Sequence, residues 1–413
     1  MPDRDLDVVI FGATGFVGKL TAEHLAANAT PGTRIGLAGR NERKLREVRD
    51  SLGEPAAAWP ILVADSTDED SLADLVAKTT AVATTVGPYI TYGMPLVAAC
   101  AAAGTHYADL TGEVAFVRRA IDAHHGTAVK TGARIVCASG FDAMPSDLGV
   151  FELHRTVAAA GEGELMRTQM VVTDLRGGVS GGTLATMSTQ FGAMRSDPRI
   201  RRLVMDPYAL SPQRSAEPDR IHAEWGSERD PMAIKLDPES GRWLGPFVMS
   251  SYNTRIVRRS NALLDYAYGR DFRYTEWLGL SSGVAGLGVA LGTTAATVGA
   301  VAAMMFGPTR DFITTRIPPG DGPSPKTRAN GRFRCEFGAR TSTGATARAV
   351  VAAHGDPGYG ATAVMFGQAA LSLALDGKDL PDSAGVLTPA SGIGAPLVSR
   401  LRLCDFTITA SLE

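Results

Sequence analysis

The chain predicts an α/β protein: a parallel sheet in an N-terminal domain, residues 1–139, followed by a second α+β domain, residues 140–413, built on a mixed or antiparallel sheet. Three observations carry that expectation. The opening run Val8-Val9-Ile10-Phe11 is apolar and rich in β-branched residues, and it leads directly into glycines spaced G-x-x-G-x-x-G. Strand-like and helix-like stretches then alternate as far as Ala138, the pattern of parallel strands joined by crossover helices. Beyond Ala160 the alternation gives way to isolated strand patterns, Met166 to Val172 and Arg332 to Phe337, the second alternating apolar with polar residues as in a sheet with one wet face.

Composition narrows the class of function. With 413 residues, 45% apolar and 20% charged, the chain is globular and long enough for two cores. A net charge of −2 with scattered Arg and Lys leaves no electrostatic footprint for nucleic acid. Cys100, Cys137, Cys335 and Cys404 lie far apart without a C-x-x-C pair, so neither a zinc site nor a disulfide framework is expected, and a reducing cytoplasm fits. His124-His125 has no neighbouring acidic or Cys spacing that suits a metal. The first strand begins almost at once, leaving no room for a signal peptide.

Gly12, Ala13, Thr14, Gly15, Phe16, Val17 and Gly18 read as strand, tight turn and helix start. Glycines there let the backbone turn sharply and approach a pyrophosphate, whose charge is attracted by the unpaired N–H groups and positive dipole end of the new helix. The first domain is therefore expected to be a Rossmann-type parallel sheet. The end of the second strand lies beside the adenosine ribose in such a sheet, and there this chain offers Arg40, with Arg43 and Lys44 behind it, where an NAD enzyme usually places Asp or Glu. A guanidinium suits a 2′-phosphate, so NADP(H) is the expected cofactor. Asp65 and Ser66 end the third strand, placed either to touch the adenine or to cap the next helix. Gly87 and Pro88, with Tyr89 and Tyr92, follow the fourth strand on the edge where nicotinamide is expected.

Four blocks, G-A-T-G-F-V-G from Gly12, G-P-Y-x-x-Y-G from Gly87, G-T-H-Y-A-D-L-T-G-E from Gly104 and G-F-D-A-M-P-S-D from Gly140, together resemble the saccharopine dehydrogenase-like oxidoreductases. Within them the chain looks most like the mycobacterial trans-acting enoyl reductases, and the likeness extends to the closing G-V-L-T-P-A-S from Gly385. The resemblance implies reduction of the double bond of an acyl or polyketide thioester in lipid biosynthesis, with a carrier protein presenting the substrate. An amino-acid dehydrogenase like saccharopine reductase is the alternative enzyme, and it requires Arg and Lys at the interdomain cleft. A non-catalytic NADP-binding lipid- or membrane-associated protein is the alternative outside enzymes. For enoyl reduction a hydride goes to the β-carbon and a proton to the α-carbon, and Tyr89, Tyr92, Tyr107 and Asp142 are the candidate catalytic groups. A structural hydrogen bond or a helix cap is the alternative for each, and no Tyr is followed four places on by Lys.

In the second domain, Gly177 to Thr183 reads as a glycine-rich entrance to a helix over 184–194, and Asp197 to Gly245 as an irregular excursion. Leu278 to Thr309 carries no charge, and a Gly/Ala-rich helical segment over 278–307 is expected. Its many small residues argue against a membrane span. Two readings stand: a buried or dimer-forming helical hairpin, or a surface element that docks on a membrane or admits a lipid chain. The aromatics Tyr266 to Trp277, interleaved with arginines, suit an interface or a core strand with a solvated face. A homodimer, cytoplasmic with peripheral contact at the inner face of the membrane, is expected.

Overall fold

Along β1 (Leu6–Phe11), Val8 and Ile10 face one core while Val9 and Phe11 face another. A strand buried on both sides in this way belongs to a parallel sheet covered by helices on each face. A computed structural model, which describes residues 4–177, 181–217, 229–305 and 324–413, contains that sheet. Beside β1 it takes β2 (Ile35–Gly39), β3 (Ile61–Val63), β4 (Thr79–Thr84), β5 (His106–Asp109) and β6 (Arg134–Val136). The order β6-β5-β4-β1-β2-β3, with every pairing parallel, reverses between β1 and β4, the switch point beside which dinucleotides bind.

The second sheet is mixed. β7 (Leu165–Arg176) is followed by β8 (Lys235–Leu236), β9 (Arg242–Pro246), β10 (Arg273–Ser282), β11 (Arg332–Thr341) and β12 (Thr346–His354). β13 (Gly385–Leu387) then returns to the first sheet and lies parallel beside β6, and β14 (Thr407–Leu412) closes the second on β12. In the second sheet β7 and β10 run parallel and the other pairs antiparallel. The first sheet is thus completed by the far end of the chain, which a simple division at residues 139 and 140 leaves out.

Two helices join the layers. Met144–Ala160 leaves β6 with Pro145 in its first turn and packs on β11, β12 and β14. Gly360–Leu375 lies beside helix Phe16–Asn28 and against β4 and β5, close enough that a Cβ at Gly367 would meet His24 at 3.0 Å. One apolar core consequently runs from Val8 and Ile10 through Leu148 and Phe366 to Phe337 of the second sheet.

Several expectations for the second half change. Leu278 to Ser282 belong to β10, where Leu278 pairs with Gly245 and with Val172, and the helix begins only at Gly283, which has φ 75°. An uncharged stretch satisfies either element, so composition could not locate that boundary. Gly283–Met305 is one helix of 23 residues rather than a hairpin, it packs on β9, β10 and helix Gly181–Ser196, and Val289 and Leu291 on it are exposed. Residues 306–309 lie outside the described residues, and no described helix is long and apolar enough to cross a membrane. The helix expected over 184–194 starts at Gly181, while residues 178–180 are likewise outside the description. The 197–245 excursion contains helix Pro198–Met205 and β8, and β9 begins within it. Tyr274 and Trp277 are on a core strand as expected, but of the arginines before them only Arg270 is exposed, and Arg273 is buried. Arg255, Arg258 and Arg259 are buried on helix Ser250–Leu263. Arg255 pairs with Asp230, Arg258 donates to the carbonyls of Pro207 and Tyr274, and Arg259 donates to those of Leu210 and Val386, each at 2.5 Å. Charge-assisted bonds to carbonyls offset the cost of burying the Arg259 cation.

Helix Met144–Ala160 approaches β11 at Gly149, where a Cβ would lie 2.2 Å from the Phe337 ring. Gly149→Ala is expected to destabilise the protein by about 1–3 kcal/mol through overpacking. The check is denaturant unfolding with an unchanged m-value.

Candidate functional site

The glycine turn after β1 is built for close approach. Gly12 has φ 89°, and a Cβ there would lie 2.7 Å from Thr85 Oγ1, while a Cβ at Gly18 would lie 2.3 Å from the Gly12 carbonyl oxygen. Thr85 Oγ1 donates to that same carbonyl at 3.0 Å, tying the loop after β4 to the turn. Helix Phe16–Asn28 starts at Gly15 with no side-chain cap, so its first-turn N–H groups are left without an acceptor among the described residues. A bare backbone cradle with an uncapped helix dipole fits a pyrophosphate. Ala13 is buried, whereas Thr14 is exposed and Phe16 and Val17 partly so at the mouth of the turn.

Arg40 is exposed just past β2 and has no hydrogen bond or ion pair among the described residues, while Arg43 is paired with Glu47 and Asn41 caps the next helix through Lys44 N–H. The Arg40 side chain is thus open to solvent, with the Asp65 carboxylate within electrostatic reach. Of the two alternatives at Asp65, the helix cap does not hold. Asp68 caps helix Glu69–Ala77, and Asp65 accepts from Thr67 N–H at 2.9 Å and from its hydroxyl at 2.8 Å, bonds that hold the Asp65 carboxyl below its ordinary pKa. Ser66 is buried beside it.

Beyond β4, Gly87 and Pro88 lead into the short helix Tyr89–Tyr92. Glu113 holds that helix from below: its carboxylate accepts from Tyr89 N–H at 2.9 Å and Ile90 N–H at 2.8 Å, and burial nevertheless raises its pKa to about 7. The Tyr89 hydroxyl is buried, donating to Thr84 O at 3.0 Å and accepting from Leu110 N–H at 3.1 Å. Tyr107 is fully buried and donates to Asp109 at 2.9 Å. Tyr92 is exposed. Asp109, itself buried, also accepts from Thr111 N–H at 3.1 Å and from Ala138 N–H at 2.9 Å. Ala138 sits at φ 63°, a left-handed conformation rarely taken by residues other than glycine, and that bond helps to hold it.

The chain then turns through Phe141, whose N–H donates to Thr362 Oγ1 at 3.0 Å, and presents Asp142. Asp142 is half-buried without a hydrogen-bond partner among the described residues, and desolvation raises its carboxyl to about 6. The structure thus brings Tyr89, Tyr107 and Asp142 to one edge, with the first two hydroxyls engaged inside the protein and Asp142 free. Pattern reading passed over three residues in this region. Asp109 and Glu113 organise the loops but carry no spacing signal of their own, and Tyr252, from helix Ser250–Leu263, is buried within reach of the charges of Asp109, Asp142 and Glu113 with its hydroxyl unpartnered.

Residues 8–136 match the saccharopine dehydrogenase NADP binding domain. A trans-acting enoyl reductase of Mycobacterium ulcerans is 45% identical, the alignment covering 99% of this chain and 98% of that one. Another, of Mycobacterium tuberculosis H37Rv, is 47% identical over 97% of this chain and 96% of its own length. The chain belongs to the trans-acting enoyl reductase family, within the saccharopine dehydrogenase-like proteins. Saccharopine dehydrogenase (L-Glu forming) from Saccharomyces cerevisiae has the same fold, with TM-score 0.54 over 98% of this chain and 99% of that one at 15% identity. Family membership makes the protein an NADP-dependent oxidoreductase.

Two substitutions separate the parts of the cofactor site. Gly18→Ala forces a Cβ onto backbone and is expected to abolish binding of both NADPH and NADH. Arg40→Ala is expected to weaken NADPH by about tenfold to a hundredfold and to leave NADH unchanged, the loss of a charge-assisted phosphate contact. Calorimetric titration of each variant with both nucleotides checks the pair, and equal weakening of the two by Arg40→Ala counts against the 2′-phosphate assignment.

Proposed function

We propose that the protein uses NADPH to reduce the carbon–carbon double bond of an acyl or polyketide thioester in lipid biosynthesis, presented by a carrier protein. Kinship along almost the whole chain with proteins named trans-acting enoyl reductase carries the reading. The site's chemistry supports it. Bound NADPH would supply the hydride for the β-carbon of the enoyl group. Asp142 would hold a proton for the α-carbon, because its raised pKa keeps the carboxyl protonated at mildly acidic pH and it has no internal partner to satisfy. Glu113 and Asp109 would position the loops on either side, and the engaged hydroxyls of Tyr89 and Tyr107 would act as supports rather than as donors. Tyr92, exposed beside Gly93, would face arriving substrate.

The amino-acid dehydrogenase alternative needs cations free to hold several carboxylates. Arg255, Arg258 and Arg259 are committed to Asp230 and to main-chain carbonyls, which favours an acyl substrate. A homodimer and a peripheral membrane contact belong to the same proposal, and exposed Val289 and Leu291 on helix Gly283–Met305 support an apolar contact there. The proposed division into a cofactor domain, 1–139 joined by the returning strand Gly385–Leu387, and a substrate domain over the rest of 140–413 places both Asp142 and that helix in the second.

NADPH oxidation with a panel of enoyl thioesters, free and carrier-bound, tests the reaction. Turnover of the enoyl substrates is expected, and turnover of an amino-acid adduct in their place overturns the reading. A carboxyl with a raised pKa donates below that value and loses its proton above it, so the rate is expected to fall as pH rises through about 6. Asp142→Asn should lower kcat and flatten that limb of the profile, while NADPH affinity stays unchanged.

A further inference from the structure

Phe16, the first residue of the helix that follows Gly15, is held between two groups from the far end of the chain. The ring of Tyr359 meets it edge-on with centroids 4.8 Å apart, and the guanidinium of Arg328 lies over it at 5.2 Å from the ring centroid. Tyr359 is buried and stands immediately before helix Gly360–Leu375, which packs along helix Phe16–Asn28. The position of Arg328 is therefore set by the same core that sets the glycine turn.

The segment carrying Arg328 is clamped. Ser324 caps the short helix Pro325–Ala329 by accepting from Thr327 N–H. The Arg328 carbonyl accepts from Gly331 N–H at 3.1 Å and from Asp356 N–H at 3.0 Å, and Gly355 N–H donates to Gly331 O at 2.8 Å. A Cβ at Gly331 would lie 2.4 Å from the Asp356 backbone, so the two turns touch main chain to main chain. The side chain, by contrast, is half-buried and makes no hydrogen bond or ion pair among the described residues, and its guanidinium lies over the Phe16 ring.

That placement brings a cation towards the positive end of a helix. The uncapped start of helix Phe16–Asn28 is the positive end of the helix dipole, and a cation beside it is repelled unless an anion lies between them. A planar guanidinium with free N–H donors beside first-turn N–H groups that lack an acceptor matches a phosphate, and a ring under the guanidinium keeps its donors directed to the side. We propose that Arg328 is a binding residue for the pyrophosphate of the dinucleotide, reaching from the second sheet's side of the molecule over the open first turn at Phe16. The inference rests on the NADPH reading. It assigns to the second half of the chain a direct part in holding the cofactor, separate from the ribose phosphate contact of Arg40.

The test is calorimetric titration of the full chain with NADPH, NADH and adenosine 2′-monophosphate, the last carrying the ribose phosphate without the pyrophosphate. Arg328→Gln is expected to weaken NADPH and NADH alike by about tenfold to a hundredfold and to leave adenosine 2′-monophosphate unchanged, with Arg328→Lys recovering part of the loss. Arg40→Ala should show the opposite pattern, losing adenosine 2′-monophosphate while keeping NADH. Unchanged binding of both dinucleotides to Arg328→Gln overturns the proposal. So does an equal loss of all three ligands with a lowered melting temperature, which would make Arg328 a structural support for Phe16. Wild-type protein that binds neither dinucleotide overturns the NADPH reading, and the proposal falls with it.

Discussion

Two buried carboxyl groups hold the far side of the site in shape. Asp109 collects Thr111 N–H, Ala138 N–H and the Tyr107 hydroxyl at the ends of β5 and β6, and Glu113 collects the first N–H groups of helix Tyr89–Tyr92. Each is desolvated, so each would be expensive without its donors, and the donors in turn fix the loops from which they come. Burial raises both above the ordinary carboxyl range, Asp109 to about 6 and Glu113 to about 7. The loop that presents Asp142 starts from Ala138, and the loop that presents Tyr92 starts from Glu113's partners. Both depend on carboxyls that are themselves buried.

The near side is built from backbone. Gly12 and Gly18 leave no room for a side chain, Thr85 fastens the β4 loop to the Gly12 carbonyl, and Gly15 leaves the helix uncapped. Two cations from separate places are proposed to serve this side, Arg40 after β2 and Arg328 from the short helix Pro325–Ala329. One part of the cleft is thus shaped by main chain and cations, the other by buried acids, a division that suits a dinucleotide phosphate at one end and proton transfer at the other.

How far the sequence could be read depended on how local each signal was. The first six strands were legible because strand-like and helix-like stretches alternate regularly through this part of the chain, and the glycine spacing marked the helix entrance. β13 was not, since three residues, Gly385 to Leu387, make no periodic pattern and become a strand only by lying beside β6. The arginines of helix Ser250–Leu263 suggested a wet face because nothing in their spacing reveals carbonyls from Leu210 and Val386 waiting for them. At the candidate site, spacing along the chain is enough to propose Gly12 to Gly18 and Arg40. It gives no sign of Tyr252 or of the proposed Arg328, because their neighbours are set by the packing of distant helices.

The return of β13 to the first sheet has a consequence for synthesis. A ribosome delivers β6 long before Gly385 to Leu387 exist, so throughout that interval the nascent cofactor sheet ends in an unpaired edge, with its N–H and C=O groups open to any passing strand. The cofactor sheet is complete only when those residues, which follow most of the second sheet in the chain, have emerged.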